Sequence, residues 1–150
     1  MKTMSKAKLA ILGKLPTKFK APFNDPDFDI WAFNFHNEQL PRVDLWVDIH
    51  SKGANPKATL TRQNFPFDDC HKLLGGNYFN NTASYLIALG ILKGYKEIHL
   101  YGMRFADDNE KRKQEYQNVR ELIFFAKGKG IIIKAPFDSV MFQIYQLYGL

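Results

Sequence analysis

The chain has 150 residues, 45% hydrophobic and 15% aromatic, with 21 Lys and Arg against 15 Asp and Glu for a formal charge of +6. That length fits one domain with a substantial core rather than two independent ones, and the Phe and Tyr content favours a packed interior over disorder. The lone cysteine, Cys70, excludes an internal disulfide and fits a reducing compartment, while no apolar stretch is long enough to span a bilayer and Leu9 to Leu12 is too short for a signal-peptide core.

Residues 8–13, KLAILG, predict a first strand, followed by a basic crossover loop, KLPTKFK, at 14–20. This loop has neither the lysine-containing phosphate loop nor the three-glycine dinucleotide pattern. Gly13 permits a close turn, and Lys14, Thr17 and Lys18 are candidate phosphate contacts. A second strand-sized apolar run, FDIWAFNF at 28–35, is expected to leave Trp31 partly exposed and to place Asn34, His36 and Asn37 at its carboxyl end, where ligands bind in open α/β sheets.

Residues 43–50, VDLWVDIH, alternate Val43, Leu45, Val47 and Ile49 with Asp44, Trp46, Asp48 and His50, which is a strand pattern. His50 at its end is a candidate acid or base near neutral pH, or a phosphate contact when protonated. From 51 to 80 the rhythm breaks into an irregular crossover. A short strand is expected within ATLTRQNF and a brief helical turn within PFDDCHKLL, with the segment covering the mouth of the sheet or meeting a partner. Asp68, Asp69, Cys70 and His71 cluster there without a zinc-type spacing, so no metal is expected and Cys70 reads as a buried thiol.

The stretch NTASYLIALGILKGYKEIHLYGMRF at 81–105 predicts a helix capped by Asn81 or Thr82, apolar around most of its circumference and stopped near Gly94, then a strand at 97–101. The open N–H groups at Asn81 and Thr82 suit a phosphate or carboxylate, and Arg104 beyond the strand is a second cationic contact. A polar bridge containing Asp107 and Asp108 leads into a helix over 111–127. Gly128 and Gly130, a strand near 131–134 and an aromatic-rich terminal helix or clasp complete the chain.

Strands and helices in this order predict an α/β fold, a three-layer Rossmann-like single domain over 1–150 with a mainly parallel sheet of about five strands. Its clearest pieces are LAILGKLPT at 9–17, APFNDPDFDIWAFN at 21–34, LPRVDLWVDIH at 40–50, the segment 81–102 and FFAKGKGIIIKAP at 124–136. In them the chain resembles bacteriophage-associated α/β proteins related to archaeal pterin pyrophosphokinase-like and bacterial sialyltransferase-like families. The resemblance implies a nucleotide-containing substrate held over the strand ends by Gly13, Thr17, Asn34, His50, Asn81 and Thr82. It also points to Glu121, as a group that orients a substrate hydroxyl or pairs with His50. Relatives carry an Asp shortly after the strand that ends here at Gly102, whereas this chain has Arg104, a fixed cation that can serve neither as base nor as metal ligand.

The resulting expectation is a nucleotide-recognising, transferase-like phage protein of the host cytoplasm, acting on a nucleotide-sugar or diphosphate substrate. Lys14, Arg104, Asn81 and Thr82 would hold phosphate, Asn34 would select a base or sugar, and His50 would move the proton. The alternatives are a non-catalytic phage accessory protein that retains the fold and contacts a phage or host protein, and a nucleic-acid-binding protein. The last has basic charge in its favour but no helix-turn-helix, zinc-finger or single-strand motif.

Overall fold

The computed structural model describes residues 6–34, 36–50, 55–103 and 109–136. Its centre is a six-stranded sheet built from β1 (Lys8–Leu12), β2 (Phe28–Phe33), β3 (Leu45–Asp48), β4 (Leu60–Thr61), β5 (Glu97–Tyr101) and β6 (Ile132–Lys134), with every neighbouring pair parallel in the order β4-β3-β2-β1-β5-β6. Two residues of β4 at one edge extend the sheet beyond the five main strands read from the sequence.

Period-two alternation sorts the side chains of the inner strands onto two cores. Leu9, Ile11, Trp31 and Phe33 face one side, with α1 (Phe67–Leu74), α2 (Thr82–Leu92) and α3 (Glu110–Gly128) packed over them. Ala10, Leu12, Phe28, Ile30 and Ala32 face the other. There the cover comes from Ala21, Phe23, Leu40 and Val43 in the connections from β1 to β2 and from β2 to β3, including a 3₁₀ turn at Pro16–Lys20. The second flanking layer, among the described residues, is therefore built of a 3₁₀ turn and irregular connections, without an α-helix. Burial on both faces explains why β1 and β2 read as near-continuous apolar runs. It also corrects the expectation for Trp31, which is buried with its ring edge-on to Tyr95.

The central helix α2 carries the largest share of this packing. Leu86, Ile87, Ala88, Leu89 and Gly90 are all buried, because α1 lies on one flank, α3 on the other and the sheet beneath. Asn81 caps its start, accepting from the Ser84 N–H at 3.0 Å, and Lys93 and Gly94 end it. The region read as one brief turn is the eight-residue α1, whose Cys70 faces the core. Burial, and secondarily Asp69, push the Cys70 thiol up to about 11, which leaves it a poor nucleophile.

The crossovers on the two sides of β1 lie on opposite faces: the link from β1 to β2 runs over one side, and α3, joining β5 to β6, lies on the other. Right-handed connections running outward in both directions from the middle of a sheet require this, and the point where the direction reverses is the β1/β5 boundary. No helix among the described residues is long and apolar enough to cross a membrane.

Candidate functional site

At the reversal point the ends of β1 and β5 touch through two glycines. A Cβ on Gly13 would stand 2.5 Å from the Gly102 carbonyl oxygen, and one on Gly102 would stand 2.5 Å from the Gly13 oxygen, so no side chain fits at either position. Backbone bonds from Gly13 N–H to the Tyr101 oxygen (2.8 Å) and from Leu15 N–H to the Gly102 oxygen (2.9 Å) fasten the two ends together. Thr17 belongs to this brace, since its Oγ1 accepts from the Gly102 N–H at 2.8 Å, and it is not among the residues lining the cleft above.

That cleft, of about 1210 Å³, runs across the carboxyl ends of the parallel strands. Gly13 and Lys14 enter it after β1, Asn34 after β2, His50 after β3, Arg62 after β4 and Gly102 with Met103 after β5. Asn81, Thr82, Ala83 and Tyr85 at the start of α2, and Asn109, Lys111, Arg112 and Glu115 at the start of α3, close the helical side, while Phe67, His71 and Asn77 close the end near α1. The structure thus brings Gly13, Lys14, Asn34, His50, Asn81 and Thr82 to one cavity. Arg104, Asp107 and Asp108 lie outside the described residues.

Asn34 adopts φ 65, the left-handed conformation that asparagine tolerates better than most residues. Its N–H donates to the Val47 oxygen at 2.8 Å and its carbonyl accepts from Asn55 Nδ2 at 3.2 Å, so β3 and the following loop hold it in that turn. The side-chain Oδ1 is buried with no hydrogen-bond partner among the described residues. Buried amide oxygens are nearly always paired, so this one stands out as unmet demand at the wall of the cleft.

His50 does not pair with Glu121; its partner is Asp48, two residues back along β3. Asp48 Oδ1 accepts from the His50 ring Nδ1 at 2.9 Å and from the His50 N–H at 3.1 Å, while Oδ2 accepts from the Asn55 N–H at 2.9 Å. Burial disfavours the Asp48 carboxylate, but the Asn55 N–H and the two groups of His50 outweigh it and hold Asp48 below the ordinary carboxylate range. Asp48 is 3% exposed whereas the His50 side chain is 55% exposed, so a buried anion orients an open imidazole. With Nδ1–H given to the carboxylate, Nε2 is the ring nitrogen left to exchange a proton. Glu121 sits on α3 outside the cleft, its carboxylate accepting from the exposed Tyr78 hydroxyl.

Lys18, also considered for phosphate, is 1% exposed and turned away from the cleft. Its Nζ donates to His36 Nδ1 at 3.2 Å and to Glu38 Oε2 at 2.6 Å, and His36 donates Nε2–H to the Phe33 oxygen at 3.0 Å. This clamp ties the 3₁₀ turn to the segment just beyond Asn34. Burial, then the Lys18 ammonium, lower the His36 pKa from its ordinary 6.5, and burial also lowers that of His99 despite its bond to Glu97. Both rings are therefore protonated at higher pH in the unfolded chain than in the folded one, and the native state loses stability as pH falls below 6.5 until the lowered folded values are reached. The contribution of Asp48, whose folded pKa is depressed, is lost only in the more acidic range, as pH falls through that value. Denaturant midpoints are expected to decline between about pH 7.5 and about pH 5, with a shallower decline for His36→Gln. A midpoint constant over that interval would contradict the buried neutral state of both imidazoles.

Among the described residues no group of three or more His, Cys, Asp or Glu is arranged to hold a metal ion. Neither a protein-family model nor a curated protein matches the chain. Among solved structures it is similar to the sialyltransferase CstII from Campylobacter jejuni in complex with the substrate analogue CMP-3FNeuAc, at 17% identity over 85% of this chain and 79% of that one, with a TM-score of 0.45. It is also similar to the sialyltransferase CST-II in complex with a trisaccharide acceptor and CMP, at 17% identity over 85% and 80% of the two chains and a TM-score of 0.46. None of these comparisons supports the expected links to phage and archaeal proteins, and at this degree of likeness the chemistry of the cleft is read from its own residues.

Proposed function

We propose that the cleft binds a nucleotide sugar or a related nucleoside-diphosphate ester and transfers its activated group to an acceptor hydroxyl. The observation that carries this reading is the chemical make-up of the lining. Lys14, Lys111 and Arg112 face a single described carboxylate, Glu115, which is already paired with Arg112 at 3.3 Å. Asn34, Asn77 and Asn80 supply amides suited to ribose and sugar hydroxyls, whereas Asn81 and Asn109 give their side-chain oxygens to capping α2 and α3. A cationic cleft rich in neutral donors and acceptors, at the switch point of a parallel sheet, favours a phosphorylated polyol over an apolar ligand.

In this reading the phosphates lie in the cleft beside the joined ends of β1 and β5, with Lys14 and the N–H groups opening α2 as counter-charges. The acceptor hydroxyl oxygen forms the new bond to the transferred carbon, and the bond from that carbon to the phosphate oxygen breaks with its electron pair on the phosphate. The hydroxyl proton passes to His50 Nε2, and Asp48 stabilises the imidazolium that results. Arg112 and Lys111 oppose the charge that grows on the leaving phosphate.

Calorimetric titration with uridine and cytidine diphosphates tests the binding half of the proposal. Saturable binding that weakens with salt is expected, and Lys14→Gln, which removes an exposed charge without touching the core, should weaken it by about tenfold or more. No binding of either diphosphate, or equal affinity in wild type and Lys14→Gln, overturns the phosphate assignment.

A further inference from the structure

One wall of the cleft has no task in the phosphate chemistry just described. It is built by Arg62, just past β4, His71 on α1 and Tyr85 on α2. Arg62 Nη1 reaches the Ile49 oxygen at 3.5 Å, so the guanidinium stands beside the residue that precedes His50, and its Cζ lies 6.0 Å over the Phe67 ring. No other hydrogen bond of this guanidinium occurs among the described residues, leaving most of its five donors for a ligand.

Tyr85 is fixed around its whole ring. Phe79 stacks on it at 4.3 Å and 13°, Phe65 and Phe67 meet it edge-on at 5.5 and 5.1 Å, and His71 Nε2 is 2.9 Å from its hydroxyl. A hydroxyl, an imidazole and a guanidinium are thereby held on a rigid aromatic bed. The carboxylates nearest in sequence, Asp68 and Asp69, are exposed and do not line the cleft.

This wall stands at the other end of the cleft from Lys14, since β4 lies three strands from β1, on the order of 14 Å at the usual strand spacing. His50, the proton acceptor, sits at the end of β3 and so belongs to the Arg62 side of the cleft, where the acceptor must lie.

We infer that Arg62, His71 and Tyr85 form a second oxyanion site in the cleft, and that the acceptor substrate carries a carboxylate or phosphate group bound there. The inference rests on the transfer reading above. It adds that both substrates are anionic, and that Arg62 aligns the acceptor by its charge while His50 takes its proton.

The test fills the first pole with uridine diphosphate and then titrates the saturated protein with inorganic phosphate, with glucuronate and with neutral glucose. At least one of the two anions is expected to bind and glucose is not; the anion that binds decides between phosphate and carboxylate. Arg62→Gln should weaken that binding about tenfold or more, and Tyr85→Phe severalfold, while uridine diphosphate affinity changes less than about twofold. Arg62 is exposed, so its replacement leaves the core intact, and unchanged thermal midpoints confirm this for both variants. Failure of both anions to bind, or full anion affinity in Arg62→Gln, overturns the second site while the diphosphate reading stands. Where only cytidine diphosphate binds it takes the place of uridine diphosphate in the titration, and failure of both diphosphates removes the reading and the inference together.

Discussion

Leu86→Asp is expected to remove a large part of the stability of the fold and to lower its denaturation midpoint sharply. Leu86 is 0% exposed at the middle of α2, within the cluster that joins Leu9 and Ile11 of β1, Ile98 and Leu100 of β5, and Val119, Leu122 and Ile123 of α3. A carboxylate there loses the packing of the leucine and gains no partner, so it must either remain charged without solvation or take up a proton. Either route costs on the order of 4 kcal/mol, a large fraction of the ~5–15 kcal/mol that holds a domain of this kind together. The control is Leu92→Asp at the exposed end of the same helix, where Leu92 is 41% exposed and the change should stay within about 1 kcal/mol. Equilibrium denaturation of the two variants measures the contrast. Equal midpoints for wild type and Leu86→Asp would remove α2 from the core.

How far the sequence discloses the structure depends on which physical rule each element obeys. The alternation at 43–50 and the apolar runs at 8–13 and 28–33 are local patterns, and β1, β2 and β3 form where they occur. Asn81 and Gly94 are local signals too, and they bracket α2. Burial is less legible, because it depends on what covers a strand from each side. Trp31 reads as half-exposed until the order β3-β2-β1 places β2 inside the sheet with helices above it.

The same distinction separates the parts of the cleft. Strand-end residues such as Lys14, Asn34 and His50 can be named in advance because a parallel sheet presents all its carboxyl ends on one edge. The Asp48 partner of His50 also carried a readable signal: residues two apart on a strand share a face, so an Asp-x-His at a strand end places carboxylate and imidazole together. Arg62, His71 and Tyr85 carried none. They come from the turn after a two-residue strand, a short helix and the first turn of α2, and only the tertiary packing of Phe65, Phe67 and Phe79 around Tyr85 makes them one wall. Thr17 and Lys18 show the converse limit. Polar residues in a loop after the first strand look like phosphate ligands, but the fold spends them on Gly102 and on the His36 and Glu38 clamp.

With a nucleotide-sugar donor and its acceptor in hand, His50→Asn should keep most of the donor affinity and lower the chemical step by roughly tenfold to ten-thousandfold, the range spanned by loss of a general base. The fold should survive, because the His50 side chain is 55% exposed and asparagine can still donate to Asp48. Asp48→Asn separates the roles within the pair. It keeps the size of the side chain but cannot accept from Nδ1–H in the same way as a carboxylate, so it disturbs the ring tautomer and withdraws the charge that favours the imidazolium. Turnover should therefore fall even though Asp48 does not touch substrate, and the acidic limb of the wild-type pH dependence, where the base becomes protonated, should move. Asp48 also accepts the Asn55 N–H, so some loss of stability accompanies this variant and the rates must be compared on protein verified as folded. Single-turnover rates at saturating donor across pH decide the matter. A histidine that only shapes the cleft would alter affinity and leave the rate of the bound complex untouched, and one that only braces β3 would lower stability with full activity in the folded fraction. Equal single-turnover rates and pH profiles for wild type and His50→Asn would take the proton-transfer role away from the pair while leaving the cleft as a binding site.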